Sequence, residues 1–274
     1  MTTALRPLST GELLDRTFSL YRSHFGLFVG IFALPHLVVL AFQCLGVAVQ
    51  SPGNQISNVL STLFFSLGAA FLTVIVSAAS QAATVIAVSQ VHLDRGASVM
   101  DSFSRVKGQI PAVIGLSMLV GLGVFAGLIA LIVPGILLAL MWALAVPVKI
   151  LENKGVTDSM SRSADLTKGD RGRIFVIAVL FFVLSFAISW LLQWPILLAA
   201  GISARGMQRM AAGWQVASLV ATFVSQCLVG PLGTIAFSLV YYDERVRKEA
   251  FDLQLMMMTL DAPGLPVSPA QAGA

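Results

Sequence analysis

Charge is what this sequence lacks. Only 11% of its 274 residues are Asp, Glu, Lys or Arg, against about a quarter in soluble domains. With 57% hydrophobic residues, a soluble fold would have too little polar material to cover its surface. The shortage is concentrated in four places. No Asp, Glu, Lys or Arg occurs from Phe25 to Leu93, from Gly108 to Val148, from Ile174 to Ala204 or from Ala211 to Tyr242. A helix needs about 20 apolar residues to cross a bilayer. The first two stretches each hold two crossings and the last two hold one each, so the sequence predicts six.

Cysteine and histidine are scarce as well. Cys44 and Cys227 both fall in apolar runs, with no second Cys or His at ligand spacing. They read as small buried hydrophobes rather than as a disulfide or a metal pair. His24, His36 and His92 are scattered, and neither a metal nor a cofactor is expected. A cleavable leader is not expected, because Arg6, Glu12, Asp15, Arg16 and Arg22 precede the first apolar run. An intramembrane enzyme would gather ionisable groups at depth, and a Ser or Cys nucleophile would need a base within reach. The apolar stretches offer neither, and Lys149 stands near an exit where it can snorkel. The sequence thus points away from catalysis, and it has no feature that suggests a nucleic-acid partner.

What is present is organised around residues 142–173, where an apolar helix ends, a basic connector runs, and a new apolar run begins. Upstream, residues 6–25 form an amphipathic segment. Ser9 and Glu12 have capping-box spacing, and Leu14, Phe18, Tyr21 and Phe25 recur at helical spacing. Such a helix lies in the headgroup plane or packs on the rest of the chain; both readings stay open. Pro35 bends the first crossing, and beside it His36 reads as a structural histidine bonded to a freed carbonyl. A small-polar stripe of Ala69, Thr73, Ser77, Gln81 and Thr84 reads as helix packing rather than as a solute path. Gly123 and Gly127 have G-x-x-x-G spacing, again a packing signal. Pro134-Gly135 predicts the turn of a hairpin.

Of the 17 Lys and Arg residues, all but Arg205 and Arg209 fall on one side of this topology, together with every acidic residue. The positive-inside rule makes that side cytoplasmic, with both termini there. Three leading segments on that side look alike: Ser9-x-x-Glu12 with Arg16, Ser98-x-x-Asp101 with Arg105, and Gly155-x-x-Asp158 with Arg162. Each is followed by a pair of apolar helices. The expectation is an all-α polytopic membrane protein with six transmembrane helices and three short amphipathic interfacial helices. Residues 1–260 form one domain, divisible into repeats at 6–94, 96–152 and 155–245, and residues 261–274 form a disordered tail.

The opening Arg6-Pro-Leu-Ser-Thr-Gly-Glu-Leu-Leu-Asp-Arg resembles the start of a prokaryotic membrane-protein family. So do Pro147 with Glu152, Arg162-Ser163 with Lys168-Gly169, and the closing Tyr241-Tyr242-Asp-x-Arg-x-Arg-Lys-Glu. The family is the one named for the membrane domain of glycerophosphoryl diester phosphodiesterases. The resemblance implies a fold, a membrane location and a link to phospholipid metabolism. It does not imply the phosphodiesterase activity, which belongs to a separate soluble barrel that this chain lacks.

Two function classes remain. The first is a non-catalytic module of the cell membrane that organises phospholipids or partner proteins. Its candidate contacts with anionic lipid are Arg16, Arg105, Lys107, Arg162, Lys168, Arg171 and Arg173. The second is a small transporter or lipid translocator without a buried ion-coupling carboxylate. Its candidate intramembrane polar groups are His36, Gln81, Gln90, Gln193 and Gln226. A wet mid-membrane cavity lined by those glutamines favours the second class, and a dry core favours the first.

Overall fold

A computed structural model describes residues 8–50, 55–92, 96–203 and 208–249. The linker at 51–54, Asp94 and Arg95, the side chains of His92, Arg205 and Arg209, Arg6, and the tail expected to be disordered lie outside the described residues. Among the described residues the chain is all helical: α1 (Thr10–Ser23), α2 (Phe25–Ala48), α3 (Gln55–His92), α4 (Val99–Val106), α5 (Ile110–Ala130), α6 (Ile132–Met141), α7 (Ala145–Glu152), α8 (Val156–Thr167), α9 (Arg171–Ser203) and α10 (Gln208–Glu249). Six stretches are long and apolar enough to cross a membrane: α2, α3, α5, α6 with α7, α9 and α10. The protein is a multi-pass membrane protein.

The short helices α1, α4 and α8 each precede a pair of crossings. Their starts follow from local chemistry. Ser9 and Glu12 form a reciprocal capping box at α1, and Ser98 accepts from the Asp101 amide at α4. At α8 the cap is Gly155, with no side-chain bond. The buried face of α1 differs from the expected stripe. Leu13 and Thr17 are buried, while Phe18 and Phe25 remain exposed. Of the two readings left open for α1, the packed one describes its contacts: the helix lies along α10, and the Tyr21 hydroxyl donates to the Leu228 carbonyl at 2.9 Å.

α10 is the most buried crossing and touches α1, α2, α3, α7, α8 and α9. At about 1.5 Å per residue, α3 and α10 are roughly 57 and 63 Å long, about twice the thickness of the hydrocarbon core. At its C-terminal end α10 therefore projects as a post carrying charged residues. With α10 as one member, the crossings form a ring, α2–α3–α5–α6–α9–α10, in which α6 and α9 share the sparsest junction. Apolar side chains such as Leu63, Phe64, Leu122, Phe182 and Leu191 face outward, as lipid contact requires.

Glycines set two close approaches. Phe42 lies over Gly68 and Phe65 over Gly46, so α2 and α3 interlock reciprocally. A Cβ on Gly127 would come within 2.9 Å of the Gly135 backbone, so the G-x-x-x-G glycines pack the α5–α6 hairpin. The hairpin does not reverse at Pro134-Gly135. It reverses at Leu131, which is extended (φ −166°, ψ 145°), and Pro134 sits in the first turn of α6. Proline is tolerated there because its missing N–H would have had no helical partner.

Candidate functional site

The ends of the helices that carry charge meet at one face of the bundle. Arg162 of α8 pairs with Glu152 of α7 and with Glu249 of α10. Glu152 also accepts from the Tyr241 hydroxyl at 3.0 Å and pairs with Lys154 at 2.9 Å. Arg173, at the base of α9, pairs with Asp243. Asp243 pairs with Arg247 at 2.8 Å and accepts from the Leu8 backbone amide at 2.6 Å. Glu244 is fully buried and faces Lys248 at 3.5 Å and Arg173 at 3.7 Å. Asn153 makes the tight connection. It takes a left-handed conformation (φ 50°) at the end of α7, tolerated by Asn, and so turns the chain from Glu152 back toward Arg162. Four separated segments contribute to this cap: Leu8, Glu152, Arg162 and residues 241–249.

This geometry changes the reading of several basic residues. Arg162 and Arg173, two of the candidate lipid contacts, are engaged with carboxylates of the same chain. Lys149 does not snorkel. It is buried and donates to the Lys154 carbonyl at 2.6 Å. Arg105 pairs with Asp101 of its own helix at 3.0 Å. Lys107 and Lys168 are exposed, and Arg16 and Arg171 are partly so. Two carboxylates, Asp243 and Glu244, are buried in the cap.

About 14 Å back along α10 from Asp243, the bundle is hollow. A cavity of about 470 Å³ opens between α2, α3, α9 and α10. His36 lines it from α2, Thr73, Ser77 and Gln81 from α3, Ser185 and Ser189 from α9, and Thr222, Ser225, Gln226 and Thr234 from α10. A second cavity of about 410 Å³ shares Gln81, Gly230, Gly233 and Thr234 with it and extends toward Trp142 and Pro147. A third, of about 550 Å³, shares Thr73 and extends to Gln43 and Gln50. The linings of all three contain no Asp, Glu, Lys or Arg among the described residues.

The stripe on α3 was read as packing. Ala69 and Thr84 are buried, while Thr73, Ser77 and Gln81 line the cavity. One position away, Ser80 donates to the Ile31 carbonyl at 3.3 Å, the group that Pro35 leaves without its helical donor. His36 is buried, and its Nδ1 bonds the Phe32 carbonyl at 2.8 Å. A carbonyl only accepts, so Nδ1 carries the proton and Nε2 faces Ser77 as an acceptor. The Phe32 ring, stacked on His36, fits against Gly230, where a Cβ would stand 2.4 Å from it. Gln81 and Gln226 make no hydrogen bond within the described residues. The other two glutamines are structural. Gln193 clasps Thr222 and Ser218 across α9 and α10. Gln90 donates to Asp101 and ties α3 to α4.

No family model matches the chain, and no curated protein or solved structure matches it. The site must be read on its own chemistry. Trp142, absent from the candidate residues, belongs to it. Its indole lies over Gly123 and lines the second cavity, at the break between α6 and α7. Ser163 bridges that break, donating to the Met141 carbonyl at 2.8 Å and accepting from the Leu144 amide at 3.2 Å.

Proposed function

We propose that this chain is a non-catalytic protein of the cell membrane, with its charged face cytoplasmic, that takes the polar part of a lipid into the cavity between α2, α3, α9 and α10. The observation that carries the reading is the cavity lining. Polar groups without partners are costly inside a membrane protein, about 1–3 kcal/mol for each one buried. The lining hydroxyls mostly bond within the bundle, as Ser189 does with Ser225 and Thr73 with the Ala69 carbonyl, but the Gln81 and Gln226 carboxamides have no partner among the described residues, and they are explained if the hollow holds water or a ligand headgroup. The resemblance to the membrane domain of glycerophosphoryl diester phosphodiesterases agrees with a role in lipid handling. Among the two classes weighed on the sequence, this favours the translocator over the organising module. The module depended on basic residues, of which Arg162 and Arg173 are engaged internally.

The test is the lipid content of the protein extracted in native nanodiscs, measured by mass spectrometry against the bulk membrane. The wild type should be enriched in one lipid class. Ser225→Phe, which fills a buried position on the cavity wall, should return the profile to bulk. A wild-type profile equal to bulk overturns the reading.

A further inference from the structure

The cavity also specifies what kind of headgroup it takes, an inference that rests on the lipid-handling reading. We propose that the cavity binds an uncharged, polyhydroxylated group, a glycosyl or polyol headgroup, and discriminates against phosphate.

The first argument is electrostatic. Among the described residues no formal charge lines any of the three adjoining cavities. A phosphodiester anion brought here would lose its hydration without a cation in return, and an unpaired charge in such a site carries a penalty far above that of a neutral polar group. Two arginines of the cap are engaged elsewhere. Arg162 and Arg173 are paired with carboxylates in the cap, which is separated from the cavity by packed residues including Leu144, Val148, Leu239 and Val240.

The second argument is the direction of the hydrogen bonds. A threonine hydroxyl has one proton and two lone pairs. Thr73 donates its proton to the Ala69 carbonyl at 2.7 Å, and Thr234 donates to the Gly230 carbonyl at 3.2 Å. Both protons are spent on the helix backbone, so these oxygens present lone pairs to the cavity. The ligand must therefore supply donors. A phosphodiester has none, whereas every hydroxyl of a sugar or polyol has one. Gln81 and Gln226 each add an acceptor and a donor pair, the combination that satisfies two neighbouring hydroxyls. The stacked rings of Phe32 and His36 add an apolar face on the same wall, suited to the C–H side of a sugar ring.

Such a group can arrive as a glycolipid headgroup or as a free sugar, and one experiment separates them. The full chain is placed in phosphatidylcholine nanodiscs containing equal amounts of monoglucosyl diacylglycerol and phosphatidylmethanol, a phosphodiester without hydroxyls, with identical tails, and the lipids retained on stringent washing are quantified. The glucosyl lipid should exceed phosphatidylmethanol by about ten-fold, the scale of one to two net hydrogen bonds. The Gln81→Leu/Gln226→Leu double variant should bring the ratio to unity. Should that variant fail to fold, Thr73→Val/Thr234→Val, which keeps the side-chain shape, must lower the ratio instead. Retention of neither lipid, with saturable binding of methyl glucoside, upholds the headgroup chemistry and makes the source a free sugar. Retention of phosphatidylmethanol ahead of the glucosyl lipid overturns the headgroup class and leaves lipid handling standing. Retention of neither lipid and no glucoside binding overturns both.

Discussion

Arg173 and Gln81 are both polar side chains held inside a protein with hardly any charge, and their surroundings differ. Arg173 is met at once by Asp243, with Glu244 3.7 Å away and the Leu8 carbonyl accepting from it at 3.0 Å. Gln81 faces a hollow and bonds nothing within the described residues. The cap pairs its charged groups with one another inside the chain, whereas the two cavity carboxamides, Gln81 and Gln226, have no partner among the described residues. A group answered internally contributes to stability. A group left open contributes to recognition, and its removal should leave the fold standing.

The cap should be the more fragile of the two. Arg173→Ala would leave Asp243 and Glu244, both buried, short of an opposite charge. Removing one partner of a buried pair costs about 3–5 kcal/mol. The variant should therefore melt far below the wild type in detergent, with the N-terminal segment around Leu8 becoming open to protease. A melting temperature equal to the wild type would show that the cap does not hold the fold, and the contrast with the cavity would fail.

A smaller effect is expected at the edge of the cap, where charge is exposed. The hydrogen bond from Gln90, and after it the Arg105 guanidinium, hold the Asp101 carboxyl below the usual carboxylate range. A carboxyl whose pKa is lower folded than unfolded stabilises the fold above its unfolded value, near 4. That contribution is lost as the pH falls through the lower, folded value. Asp101→Asn should then melt slightly below the wild type at neutral pH, with the gap closing in acid. Parallel melting curves of the two proteins from pH 7 to pH 3 would check it. A gap that persists unchanged through the acid range would mean that the Asp101 charge has no part in tying α4 to α3.

The six crossings were legible because missing charge is a local property, written in consecutive residues. So were the caps at Ser9 and Ser98, which need only three residues. The cap of ion pairs was not. Arg162 meets Glu249 across 87 positions and Arg173 meets Asp243 across 70, and a single sequence gives no means of pairing residues that far apart. The hydroxyl and amide stripe on α3 was visible but ambiguous. Thr73, Ser77 and Gln81 have the same spacing whether they face another helix or a hollow, and only the placement of α9 and α10 decides it. Pro134-Gly135 misled for a related reason. The pair marks a turn in a soluble loop, yet in the first turn of α6 the proline costs nothing, and the reversal fell to Leu131.

The sharpest use of the comparison is a pair of substitutions expected to do least to the fold. Gln81→Leu and Gln226→Leu remove two amides that bond nothing within the described residues and replace them with side chains of similar size. Each polar group that loses its desolvation cost offsets the packing changes around it, because an unsatisfied polar group is the expensive state and an apolar replacement of similar shape is close to neutral. The melting temperature of the double variant should stay near that of the wild type or rise, while retention of the bound headgroup falls. Both readouts come from one preparation, by thermal melting and by lipid analysis. A large loss of stability would mean that the amides are answered inside the protein after all, as the cap residues are. Unchanged retention would overturn the part assigned to the two amides in recognition.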